Sequence, residues 1–244
     1  MARIDELVSE ALKLLPEKPA DDAKQEAKKR YSELVSQKVA LALAAELRHR
    51  GLKEARPAGE GELGDSGAER RMAGGLGAKK VDVTWATEES GLLFAISVKT
   101  VNFRDKKTKN FQKNLINRRG DMLMEAVTLH RRFPYAVLAG FFFLDKDAEH
   151  DGTAKRRSTF SNAHSRLQLF TGRDDPADRE EQFERFFLIL LDASPLAVAL
   201  RAFAVGRPET ELPLSDILDD LLKTVAQRNP DFYEFADGNL VKAS

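Results

Sequence analysis

The sequence predicts an α/β fold in which a central mixed sheet is flanked by helices and preceded by a helical N-terminal segment. Three patterns predict it: apolar and polar residues alternate over 80–86, residues 136–144 are almost continuously apolar, and apolar residues recur at helical spacing over 1–50 and 114–132. The chain has 244 residues, of which 42% are hydrophobic and 32% charged, so it can bury a large core beneath a heavily charged surface. We therefore expect one domain spanning residues 1–244.

The composition excludes several functional classes. There is no cysteine, so neither disulfides nor a thiol nucleophile nor thiolate zinc ligands are available, and we expect a reducing, cytoplasmic location. The 39 basic residues are balanced by 39 acidic ones, so nucleic-acid binding would have to depend on local clusters of charge. We expect no membrane span and no secretory signal, because the apolar runs are short or interrupted.

The N-terminal part is predicted to be helical. Apolar spacing indicates a short helix within residues 1–20, which Pro16 and Pro19 would stop, and a long helix over 21–50. Gly51 suits the position after the last helical turn, where a left-handed backbone is common. The glycine-rich residues 55–78 are expected to form a mobile loop, because such backbone is costly to order.

A β-hairpin and a helix follow this loop. The alternating residues 80–86 predict one strand, residues 88–91 a turn, and residues 92–100 the second strand. A polar, basic connection over 102–113 then leads to the helix predicted over 114–132.

The remaining elements complete the predicted sheet. The apolar run 136–144 is typical of a strand that is buried on both faces. Residues 145–160 are expected to form a charged loop, residues 183–191 another strand, and residues 215–228 a helix with Ser215 as its N-cap.

The hairpin carries the first chemical signal. Asp82 lies between two valines, and period two places it on one face with Thr84, while Ser97 and Lys99 share a face of the second strand. A carboxylate flanked by apolar residues needs a partner, which could be Lys99 or a divalent cation. From the hairpin alone, the favoured interpretation is a structural Asp82–Lys99 ion pair or polar side chains on a solvated face, because half-exposed strands routinely alternate in this way.

The following helix adds acids to this signal. Residues spaced four, three and four apart form one helical stripe: Asn114, Arg118, Asp121 and Glu125. If the acidic part of this stripe faces Asp82 and Lys99, the group has what phosphodiester hydrolysis requires. Carboxylates would hold Mg²⁺, and the lysine would orient water or stabilise the developing anion.

These residues resemble the PD-(D/E)XK phosphodiesterase superfamily, which includes many restriction endonucleases. Asp82, followed by Ser97-Val-Lys99, matches its motif, and the order of strands and helix agrees over about residues 79–144. Two positions depart from the pattern. Val81 stands where proline is common, and Ser97 replaces the second acid.

One branch of this superfamily also has Ser-x-Lys and carries the missing acid on the following helix. Residues 117–130 are similar to that helix, so the resemblance implies that Glu125 is the relocated acid and Asp121 the fallback. The separation of 26 residues between Lys99 and Glu125 is longer than that branch usually shows. Glu46 matches a further acid by position only, and a solvated helical glutamate is the favoured interpretation.

The resemblance implies a restriction-endonuclease-like fold, with a core over about 79–144, a helical segment over 1–50 and further strands and helices over 160–244. It implies a DNA endonuclease that uses Mg²⁺ or Mn²⁺, in prokaryotic restriction or phage defence, acting as a homodimer or with a defence-complex partner. Two alternatives stay open. One is an inactive nuclease fold that binds nucleic acid or protein, and the other is an assembly subunit in which Asp82 and Lys99 are exposed.

Basic residues cluster around the predicted hairpin. Residues 99–119 hold eight basic side chains and one acid. Those expected to contact DNA are Arg104, Lys106, Lys107, Lys109, Lys113, Arg118 and Arg119, and a second group in the next loop is Lys155, Arg156 and Arg157. Phosphates bind such clusters, although solvated loops have the same composition.

Overall fold

A six-stranded mixed sheet forms the centre of the structure, a computed structural model that describes residues 2–58, 71–194 and 198–243. The strands of this sheet, in chain order, are β3 (Val83–Thr87), β4 (Gly91–Val101), β5 (Val137–Asp145), β6 (Arg185–Asp192), β7 (Ala199–Ala204) and β8 (Glu211–Leu212). They lie side by side in that same order. The four further strands form two separate hairpins, β1 (Arg71–Gly74) with β2 (Gly77–Lys80), and β9 (Tyr233–Ala236) with β10 (Asn239–Lys242).

Within the described residues, five α-helices cover the two faces of the sheet. They are α1 (Arg3–Lys13), α2 (Gln25–His49), α3 (Gln112–Arg132), α4 (Thr159–Leu167) and α5 (Leu214–Arg228). The predicted mixed sheet with flanking helices and a helical N-terminal segment is therefore confirmed. No helix in the described ranges is long and apolar enough to cross a membrane.

The sheet is parallel at its centre and antiparallel at its edges. β4, β5 and β6 run parallel, while β3 pairs antiparallel with β4, and β7 with β6. Residues 137–144 of β5 are all buried, which confirms the expectation of a strand covered on both faces. Gly140 lets the ring of Phe186 on β6 pack against the backbone of β5, because a Cβ at position 140 would lie 2.7 Å from that ring.

Two apolar clusters lie on opposite faces of the sheet. The first joins α1, α2 and α5 to side chains such as Val83 and Val98, and the second joins α3 and α4 to side chains such as Ala95 and Phe142. Alternation along the strands sends neighbouring residues to different clusters. The sheet therefore separates the helices into two independently packed layers.

The strand predicted over 80–86 is in fact divided. Lys80 ends β2, the chain bends at Asp82, and β3 begins at Val83. The placement of Asp82 within a strand is therefore wrong, because the bend turns Val81 into the cluster of α3 while Val83 packs on the opposite face. The sequence shows no break in its alternation of apolar and polar residues at this bend. Val81 and Val83 are both apolar because both are buried, although on opposite faces of the sheet.

Part of the glycine-rich segment is regular structure. Gly77 has a φ of +130°, which glycine adopts readily and which closes the turn between β1 and β2. The expectation of a mobile loop over 55–78 is thus wrong for residues 71–78, and residues 59–70 lie outside the described residues. Gly51 has the predicted left-handed conformation, with a φ of +102°.

Smaller differences concern the ends of elements. The C-terminal helix begins at Leu214 after Pro213, so Ser215 lies inside its first turn and is not the N-cap as predicted. The expected loop over 145–160 contains a short 3₁₀ helix, Lys146–Glu149. Ser158 then caps α4, which the sequence pattern did not reveal.

Candidate active site

A cleft with a volume of about 1210 Å³ opens where β4 ends. Its sides are α2, the first turns of α3 and the segment 102–107, and Asp82 and Lys99 line its floor. Their side chains are only 15% and 16% exposed. This placement contradicts the interpretation of the hairpin as an exposed feature of an assembly subunit.

Asp82, Lys99 and Glu125 form one ionic cluster. The ammonium group of Lys99 lies 3.1 Å from Asp82 Oδ2 and 3.4 Å from Glu125 Oε2. The backbone N–H of Val98 also donates to Asp82 Oδ2, at 2.7 Å. β4 therefore positions the carboxylate of Asp82 even though Asp82 itself lies at the bend before β3.

Burial and neighbouring charges leave the pKa values of both Lys99 and Glu125 above their ordinary values. Burial lowers the pKa of Lys99, but the carboxylates of Glu125 and Asp82 raise it by more, so it stays above its ordinary value. Burial raises the pKa of Glu125, and the attraction of Lys99 offsets only part of that rise. Lys99 is consequently a cation at neutral pH and not a general base.

Glu125 retains an unused oxygen. Its side chain is 7% exposed, and its Oε1 atom is buried without a hydrogen-bond partner. The Ser97 hydroxyl is close enough to lower the pKa of Glu125, yet its Oγ atom also lacks a partner of normal geometry. A buried carboxylate oxygen without a partner is costly, so this arrangement favours a further ligand at Glu125.

Carboxylates such as those of Asp82 and Glu125 belong to the ligand class that magnesium prefers. Mg²⁺ is commonly held by one or two carboxylates, with water and substrate phosphate as the other ligands. Asp82 and Glu125 could supply that pair. No group of three or more histidine, cysteine, aspartate or glutamate side chains that could hold a metal ion is found in the described part of the chain.

The two acids predicted for α3 occupy different environments. Glu125 contacts Lys99, whereas Asp121 is 58% exposed and pairs with Arg118 at 3.5 Å. The prediction of one acidic stripe is therefore only partly right, because positions four apart on a helix differ by about 40° and Glu125 lies on the side that faces the sheet. Asp121, the fallback ligand, is not part of the cluster.

Glu46 is not at this site. It is 2% exposed and accepts from Arg3 and Arg50, and Arg50 also pairs with Asp219 of α5. The expectation of a solvated glutamate is wrong, because these arginines compensate a buried charge. Glu46 links α1, α2 and α5.

Half of the predicted DNA-binding residues line the cleft. Those that do are Arg104, Lys106, Lys107, Lys113 and Arg118. Those that do not are Lys109, Arg119, Lys155, Arg156 and Arg157. The segment 153–157 folds against its own loop, where the Arg156 guanidinium donates to the carbonyl of Asp151.

Sequence reasoning missed the contribution of α2 to the cleft. Lys28, Lys29, Gln25 and Gln37 all line it, and Lys80 extends its floor. Their spacing in the sequence places them along the polar side of the helix. No residue near them in the sequence indicates which part of the protein that side faces. The hydrogen bond from Asn102 Nδ2 to Ser32 Oγ, at 3.2 Å, brings the two regions together.

A comparison with known proteins finds no matching protein-family model, curated protein or solved structure. The evidence for chemistry at this site is therefore the arrangement of its own residues.

Proposed function

We propose that the protein is a Mg²⁺-dependent endonuclease that hydrolyses phosphodiester bonds of DNA on a restriction-endonuclease-like core. The observation that carries this proposal is the Lys99 ammonium group between the carboxylates of Asp82 and Glu125. Asp82 and Lys99 line a cleft rich in cations, and Glu125 is buried beside Lys99 without lining the cleft itself. A structural ion pair alone would not need a second buried acid with an unused oxygen.

Each member of the cluster has a distinct role. Asp82 and Glu125 would hold the metal, and Oε1 of Glu125 is the carboxylate atom that has no other partner. When bound there, Mg²⁺ would supply charge neutralisation at the phosphate and a water molecule of lowered pKa. Lys99, protonated at neutral pH, orients that water or stabilises charge that develops on the phosphate oxygens. Ser97 shapes the pocket around Glu125.

The cations of the cleft hold the substrate. Nine basic side chains line it against three acidic ones, namely Glu33, Asp82 and Asp105. Asp105 is engaged within its own loop, where it accepts from the backbone N–H groups of Lys107 and Thr108. Three of the cations also have acidic partners, since Arg104, Lys113 and Arg118 pair with carboxylates. The excess of basic over acidic side chains in the cleft still suits a polyanionic backbone. Prokaryotic restriction or phage defence, with a second copy for duplex cleavage or a defence-complex partner, is the setting that the motif suggests.

A second candidate is an inactive nuclease fold that binds nucleic acid or protein. Ser97 in place of an acid favours it, together with the bridging position of Lys99, which already satisfies one oxygen of each carboxylate. This candidate predicts that DNA binds in the cleft without being cut.

The test is cleavage of plasmid and of single-stranded DNA in Mg²⁺ and in EDTA, with binding measured in Ca²⁺. We expect Asp82→Asn and Glu125→Gln to lose about 10²–10³-fold or more in cleavage while binding persists. Asp121→Asn is the matched control on the same helix and should lose far less.

Three outcomes would contradict the proposal. Wild-type activity in Asp82→Asn would remove Asp82 from the site. A greater loss of cleavage in Asp121→Asn than in Glu125→Gln would make Asp121, and not Glu125, the second metal ligand. Binding without any Mg²⁺-dependent cleavage by the wild-type protein would establish the second candidate.

A further inference from the structure

The two sides of the cleft differ in chemistry. One side, the cationic wall, consists of Arg104, Lys106, Lys107, Lys113 and Arg118. The other, the α2 wall, is formed by the polar face of α2 from Gln25 to Gln37. Its neutral side chains are Gln25, Ser32, Ser36 and Gln37.

The charged side chains of the α2 wall differ in their surroundings. Lys28 is 8% exposed, and its ammonium group donates to the carbonyl of Asp21 at 3.0 Å. Lys29 and Glu33 are 73% and 65% exposed and lie 3.8 Å apart, so their opposite charges offset each other in part. The α2 wall therefore presents its amide and hydroxyl groups beside one exposed pair of opposite charges.

This division matches the two kinds of contact that proteins make with duplex DNA. Cations bind phosphates irrespective of sequence, whereas side-chain amides form bidentate hydrogen bonds with base edges, as glutamine does with adenine. Gln25 and Gln37 are exposed and both line the cleft. They lie twelve residues apart, which is about 120° around the helix and about 18 Å along its axis, or roughly five base pairs.

The lining argues against an unpaired strand. Proteins that hold single strands usually stack the bases on aromatic side chains. Among the described residues of this cleft the single aromatic ring is Phe103, which is 6% exposed and packs against Tyr31. Base edges of a duplex are therefore the better match for the amides.

We propose that the α2 wall reads the bases of duplex DNA through Gln25 and Gln37 while the cationic wall holds the phosphates, an inference that rests on the proposed nuclease function. Gln25 and Gln37 then determine which sequences are bound, and the cationic wall determines how tightly any duplex is bound.

The experiment selects bound duplexes from a pool with a randomised central segment, in Ca²⁺, for the wild-type protein and for the double variant Gln25→Ala/Gln37→Ala. The wild-type protein should enrich a sequence. In the double variant, the ratio of affinities for the enriched and for other sequences should fall about tenfold or more, while the slope of log binding constant against log salt concentration stays unchanged. Gln227→Ala, an exposed glutamine of α5 outside the cleft, is the matched control and should keep it.

A second double variant separates the two walls. Lys106→Ala/Lys107→Ala should weaken binding to all sequences alike and reduce the log–log salt slope by about 0.9 for each phosphate that the protein no longer neutralises. A wild-type protein that cleaves without preference, or a glutamine variant that retains the full preference, would overturn the reading role and leave the nuclease proposal intact. A wild-type protein that neither binds nor cleaves the pool would overturn both.

Discussion

Replacing Lys99 by methionine is expected to destabilise the protein by about 3–5 kcal/mol at neutral pH, the usual cost of removing one partner from a buried ion pair. The wild-type ammonium group lies within 3.4 Å of two carboxylate oxygens, and its side chain is 16% exposed. Methionine fills a similar volume but leaves Asp82 and Glu125 as two facing carboxylates without a cation.

The loss should depend on pH in a defined direction. Burial already raises the pKa of Glu125 in the wild-type protein, and loss of Lys99 removes the attraction that opposed this rise. A carboxyl group whose pKa is raised on folding stabilises the protein at pH values below its unfolded pKa, and this stability is lost as the pH rises through the folded pKa. The destabilisation of Lys99→Met should therefore shrink as Glu125 becomes protonated in acid.

Urea denaturation at several pH values measures this effect, and Lys106→Met is the matched control because Lys106 is an exposed lysine of the same cleft. The control should change the free energy of unfolding by no more than about 0.5 kcal/mol. If Asp82 and Glu125 hold Mg²⁺, then Mg²⁺ at about 100 times its Kd should restore roughly 2.7 kcal/mol to Lys99→Met, but not to Lys99→Met/Glu125→Gln. Equal stability of Lys99→Met and the wild-type protein near neutral pH would refute the reasoning.

Other expected outcomes concern the backbone, a buried histidine and the wild-type lysine. Gly51→Ala should lower the unfolding free energy by about 1–3 kcal/mol, because its φ is +102° and a Cβ would lie 2.1 Å from a carbonyl oxygen of β10. Gly120→Ala, in open space on α3, should raise the unfolding free energy by about 0.5–1 kcal/mol. Thermal unfolding of both variants beside the wild-type protein measures these two changes. Burial lowers the pKa of His164 to about 4, so the wild-type protein should lose up to about 3 kcal/mol as the pH falls from 6.5 toward that value. In urea denaturation, the stability of His164→Gln should not fall in this pH range. An equally steep fall of stability with pH in the variant would contradict the prediction. The raised pKa of Lys99 should stabilise the wild-type protein below pH 10.5, with this contribution lost at higher pH and missing from Lys99→Met.

The predictions that held depend on local patterns. The strand β5 followed from its apolar run, and the pairing of β3 with β4 from alternation and a turn. The bend at Asp82 could not be seen, because Val81 and Val83 are both buried and only the folded chain reveals that they face different clusters. Local periodicity cannot report such a change of direction.

The positions of α2 and α3 at the candidate site depend on contacts between residues that are distant in the sequence. Helical spacing placed Asp121 and Glu125 together, and only the position of α3 on the sheet distinguishes the exposed acid from the buried one. The approach of α2 to the cleft depends on interactions such as that of Ser32 with Asn102, which are 70 residues apart. No sequence pattern within either segment specifies that interaction.

The division of the core by the sheet has a consequence for how this site can vary. The α2 wall is supported by one apolar cluster, whereas Glu125 and the α3 part of the cationic wall are supported by the other. Substitutions beneath α2 can therefore shift one side of the cleft while the acids and the lysine keep their spacing. A protein built in this way can change what it recognises by repacking one layer, without rebuilding the chemistry that the opposite layer holds in place.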